Sequence, residues 1–125
     1  MKVRFTLALL AGLAVVCVGY GVQAAEEGEA ESITVQGEVL DLSCYIAHEA
    51  KGESHLKCAQ GCLKSGQPMG LLAKDGTVYL LYASHKDAAP YEETKAHAGK
   101  MVEIEGKSAA RAGMKGVEVN SVKAL

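Results

Sequence analysis

Gly70-Leu71-Leu72-Ala73-Lys74-Asp75-Gly76-Thr77-Val78-Tyr79-Leu80-Leu81-Tyr82 holds two apolar runs joined by a polar link with Asp-Gly at its centre. Asp-Gly accepts the positive φ angles of a tight turn, so the stretch predicts an antiparallel hairpin. Tyr79 and Tyr82 fall on opposite faces of its second strand, so at most one faces a core. Further on, Pro90-Tyr91-Glu92-Glu93-Thr94-Lys95-Ala96-His97-Ala98 predicts a short helix, with Pro in its first turn and Gly99 as its stop. Met101-Val102-Glu103-Ile104-Glu105-Gly106 and Val117-Glu118-Val119-Asn120-Ser121-Val122 alternate as strands do, with a turn over 112–116. Toward the N-terminus, Ile33, Val35, Gly37 and Val39 alternate with Thr34, Gln36 and Glu38 as another strand. Leu40 and Leu42 take the opposite phase, which predicts a bulge or a change of face.

Between that first strand and the hairpin the alternation stops. Ala, Glu, Lys, Leu and Gln become frequent from Cys44 to Ser65, which predicts helix, in two short pieces broken near Gly52. Asp41 or Ser43 caps its start, and Ser65-Gly66 followed by Pro68 stops it. The order is strand, helical insert, strand, strand, short helix, strand, strand. Five strands with a helix between the third and fourth is the order of the OB-fold. The predicted fold class is therefore mainly β: a small five-stranded OB-like Greek-key barrel with a helical insert over 43–66 between strands 1 and 2. The domain spans 33–125, behind an acidic leader over 25–32 that lacks large apolar residues.

The 125 residues allow one domain. Met1-Lys2-Val3-Arg4 is a short basic start, and no charged residue follows from Phe5 to Val22. Val22-Gln23-Ala24 has small residues where a signal peptidase prefers them, so 1–24 reads as a cleaved secretory signal. The predicted location is periplasmic or secreted, with no stable membrane insertion after cleavage. Cys17 follows Val15-Val16, which is no lipobox. Cleavage shortens the chain to 101 residues and takes the net charge from −2 to −4, with the loss of Lys2 and Arg4. The mature chain has neither Phe nor Trp and is acidic, so it lacks the basic surface and stacking platforms of a nucleic-acid binder.

Cleavage also turns four cysteines into three, Cys44, Cys58 and Cys62, all inside the insert beside His48 and His55. The pattern is Cys-x3-His, a six-residue gap, then His-x2-Cys-x3-Cys. On helices, residues three or four apart share a face, so Cys44 with His48, and His55 with Cys58 and Cys62, form two ligand edges. Thiolate and imidazole are the donors of zinc and copper sites, and soft sulfur favours Cu(I). Cys44, His48, His55, Cys58 and Cys62 are the candidate ligands for a copper or zinc ion. An odd number of thiols in an oxidising compartment also asks for a specific reason.

A second reading stays open. Cys44 joined to Cys58 or Cys62 by a disulfide would pin the insert to the barrel and leave one spare thiol. The protein would then be a non-catalytic module whose barrel face binds a small molecule or a protein. A third is thiol catalysis by Cys44 with His48, but no oxyanion motif or phosphate loop accompanies the pair, so enzyme function comes last. Met69 is read as core in preference to a copper thioether. His85 and His97 are read as surface residues, and Tyr45 as packing the insert onto the barrel. Asp41 is read as a helix cap or as a hydrogen-bonding partner of His48. The string Asp41-x-x-Cys44-Tyr45, His48, Cys58-x3-Cys62, Gly66, Gly70-Leu71-Leu72 and the later Gly-Lys-x-Val-x-Ile-x-Gly strand resembles small secreted bacterial OB-fold-like proteins of uncharacterised function. That resemblance implies an exported domain and brings no activity with it.

Overall fold

The computed structural model describes residues 29–125; the signal reading of 1–24 and residues 25–28 of the leader lie outside them. Five strands form a closed barrel: β1 (Glu31–Asp41), β2 (Met69–Ala73), β3 (Val78–Ala83), β4 (Met101–Arg111) and β5 (Met114–Ala124). Around the barrel the order is β1-β2-β3-β5-β4. All neighbours are antiparallel except β3 and β5, which run parallel. This is the expected OB-like barrel, and closure leaves no open sheet edge. Three α-helices interrupt it: α1 (Leu42–His48) and α2 (Leu56–Lys64) between β1 and β2, and α3 (Ala89–Lys95) between β3 and β4. No helix among the described residues is long and apolar enough to cross a membrane.

The core is filled by alternate residues of the strands. Val39, Met69, Leu71, Leu81, Val102, Ile104, Val117 and Val119 are buried in one cluster, and α2 adds Ala59 and Leu63. Met69 is thus core, Tyr79 packs against the cluster, and Tyr82 on the other face is exposed. β1 lies between β2 and β4, and Gly37 pairs with both. A Cβ there would collide with the Leu72 carbonyl, so the barrel needs glycine where β1 bends between its two partners.

Boundaries differ from the sequence reading at several points, each for a physical reason; β1 begins at Glu31, inside the leader expected over 25–32, because Glu31 and Ser32 pair with Ser108 and Lys107 of β4. The opposite phase of Leu40 marks the end of β1, where Val39, Leu40 and Asp41 are all buried because α1 and α2 pack against the strand. β5 does not alternate cleanly: the pairing slips opposite Glu105 and Gly106, skipping Asn120, and so brings Val122 back against the core. The β4–β5 turn is not 112–116 but two residues, Ala112 and Gly113, both with positive φ (49° and 81°), as a primed hairpin turn requires. α3 ends at Lys95, and i→i+3 turns carry the chain to Ala98, where Gly99 takes φ 76°.

Candidate metal centre

Asp41 closes β1 and opens α1. It lies two residues beyond Val39, so strand alternation turns its side chain to the same, inward side. Its residue is 1% exposed, and Oδ1 accepts the Ser43 backbone N–H at 2.9 Å, which makes it the N-cap of α1. An N-cap side chain folds back over the third helical residue, and here that residue is Cys44. α1 is held down by Leu42, which packs over Gly70 so closely that a Cβ at that position would strike it. The helix ends at Glu49 in the left-handed region (φ 53°), whose N–H donates to the Tyr45 carbonyl at 2.7 Å. The chain then turns back through Gly52, whose N–H donates to the Glu38 carboxylate, into a short 3-10 turn (Glu53–His55) and α2.

α2 is oriented by its apolar pair. Ala59 and Leu63, one turn apart, are buried in the barrel core. Cys58 and Cys62 each precede one of them, so they line the adjacent flank, turned toward α1. The Sγ atoms of Cys44, Cys58 and Cys62 lie within 4.8 Å of one another. A second group, Asp41, Cys44 and His55, meets the same limit, with Cys44 common to both. All three cysteines are free thiols. Metal–sulfur bonds of about 2.3 Å put sulfurs on one ion roughly 3.8 Å apart. The three thiols are therefore within a small side-chain adjustment of enclosing an ion.

Of the five candidate ligands, Cys44, Cys58, Cys62 and His55 come together in these two groups. His48 does not join them: it is exposed in the last turn of α1 and belongs to neither group. Asp41, which the sequence suggested might serve His48, instead faces Cys44 and His55. The signal for this was in the spacing, since a cap residue and the third residue of its helix are always neighbours. His85 is exposed and His97 half-buried, and Tyr45 is half-buried on α1.

The electrostatics are those of thiols gathered around a carboxylate. Burial acts most strongly on Asp41 and alone would raise its pKa. Hydrogen bonds from the Cys44 and Cys62 thiols and from the backbone N–H groups of Ser43 and Cys44 together outweigh it, leaving the carboxyl below its ordinary range. The reciprocal effect falls on the thiols. Hydrogen bonding to Asp41, then burial, then the charge of Asp41 push Cys44 up to about 12. Cys62 is pushed up first by the same carboxylate. A raised thiol is the reverse of an activated nucleophile, which counts against Cys44 as a catalytic thiolate. The weak thiol donors leave Oδ2 of Asp41 without a hydrogen bond of ordinary geometry, although it is sealed from solvent. Nε2 of His55 is sealed and unpartnered as well. No family model, curated protein or solved structure matches the chain.

Proposed function

We propose that this is an exported metal-binding protein, periplasmic or secreted, that holds Cu(I) or Zn(II) on the thiolates of Cys44, Cys58 and Cys62. One observation carries the reading: three sulfurs from two separate helices converge within 4.8 Å although no disulfide joins them. Thiolate-rich sites select soft and borderline ions, and an odd sulfur count suits an ion better than a disulfide. Export is supported by the charge-free stretch over 5–22 and the Val22-Gln23-Ala24 triplet.

The test is to express the full chain with its N-terminal segment, recover it from the periplasm, and measure metal content, intact mass and accessible thiols. At least one equivalent of copper or zinc, with three thiols titrating only after chelation, is the expected result. An intact mass lower by two hydrogens, one titratable thiol and no metal would replace this reading with the disulfide-held binding module. Mature protein beginning at Ala25 is expected; retention of the segment in the cytoplasm would overturn the export reading.

A further inference from the structure

Asp41 is a buried carboxylate without a cation. It has no ion-pair partner among the described residues, and Oδ2 has neither solvent nor an ordinary hydrogen bond. Interiors tolerate a buried carboxylate where a positive group answers it. Nε2 of His55 is likewise sealed and unpartnered, and Asp41 and His55 each offer a donor atom within 4.8 Å of the other and of the Cys44 sulfur. Two lone-pair donors and a sulfur that converge describe a ligand set, and it shares only Cys44 with the group of three thiols.

We propose that Asp41, Cys44 and His55 form a second cation site, adjoining the three-thiolate site and sharing the Cys44 sulfur as a bridge between two ions. The inference rests on the reading of the three thiols as ligands. Charge supports it. Three thiolates and one carboxylate carry four negative charges, which one divalent ion halves and two divalent ions balance. The donor sets differ in softness: sulfur alone on one side, and carboxylate, imidazole and a shared sulfur on the other, the mixed set that suits Zn(II). Loading both sites at neutral pH releases the three thiol protons to solvent, because only deprotonated sulfur ligates. Asp41 enters as carboxylate and adds no proton.

Co(II) is the probe, since it takes zinc geometries and reports thiolate ligation by near-ultraviolet charge-transfer absorption. The exported protein, reduced and stripped of metal, is titrated with Co(II) alone under anaerobic conditions, followed by absorption and electron paramagnetic resonance. Two equivalents are expected to bind, with the resonance signal growing to the first and shrinking on the second as the bridging sulfur couples the two spins. His55→Ala and Asp41→Asn are each expected to bind one equivalent and to keep the charge-transfer band of a three-thiolate ion. Asparagine preserves the helix cap, and circular dichroism confirms that both variants are folded. Wild type binding one equivalent, or His55→Ala still binding two coupled ions, overturns the second site and leaves the three-thiolate site standing. Wild type binding none overturns both.

Discussion

At the scale of single residues, Asp41 has two roles that substitution can separate. As N-cap of α1 it accepts the Ser43 N–H, and as a carboxylate it accepts the Cys44 and Cys62 thiols. Asp41→Ala loses both and is expected to cost about 1 kcal/mol for the cap alone, whereas Asp41→Asn keeps the cap. The pH dependence of the reduced, metal-free protein has two limbs. The Asp41 pKa is lowered on folding, so its contribution is present above the ordinary carboxyl value of 3.8 and is lost as pH falls through the folded value. The Cys44 pKa is raised from 9.0 to about 12, so its contribution is whole below pH 9.0 and is lost as pH climbs toward 12. Thermal melts should therefore show wild type above Asp41→Asn at neutral pH, with the two converging in strong acid. A gap that persists or widens in acid would contradict this. Ala112 carries a different strain: it holds φ 49° in a turn that suits asparagine and glycine. Ala112→Asn is expected to stabilise the domain by about 0.5–1 kcal/mol in urea unfolding.

At the scale of elements, α2 couples the barrel to the cysteines. Its position is set by Ala59 and Leu63 in the core, and Cys58 and Cys62 inherit that position. Leu63→Ala, at a fully buried site, should cost about 2–5 kcal/mol by denaturant unfolding. It should also weaken metal affinity without removing a ligand; unchanged affinity would mean that the cysteines are placed by something other than core packing. The barrel was legible in the sequence because strand alternation and Asp75-Gly76 are local signals. The slip at Asn120 and the two-residue turn at Ala112-Gly113 were not, since a bulge changes phase without changing composition and alanine is an unusual turn residue. In the site, Cys44, Cys58, Cys62 and His55 were legible from helical spacing. His48 lies outside both groups although the same spacing places it one turn beyond Cys44, because the orientation of α1 is decided by the cap and by Leu42, which only the tertiary structure shows.

At the scale of the whole molecule, the barrel core is built from the chain's own residues, and the proposed ion would add to it. Its core combines strand residues with Ala59 and Leu63 of α2, and the cysteines sit outside that cluster. Metal is therefore expected to stabilise by mass action, by about 2.7 kcal/mol when free ion exceeds the dissociation constant a hundredfold. Chelation should lower the melting temperature and leave the far-ultraviolet circular dichroism of the barrel intact. Cys58 is exposed, so Cys58→Ser should leave metal-free stability within about 0.5 kcal/mol and abolish most of the metal-induced rise. The most direct measurement is X-ray absorption at the metal edge of protein loaded with one equivalent of Zn(II) or Cu(I). The account predicts a sulfur shell of three atoms near 2.3 Å; a shell of oxygen and nitrogen alone would contradict it.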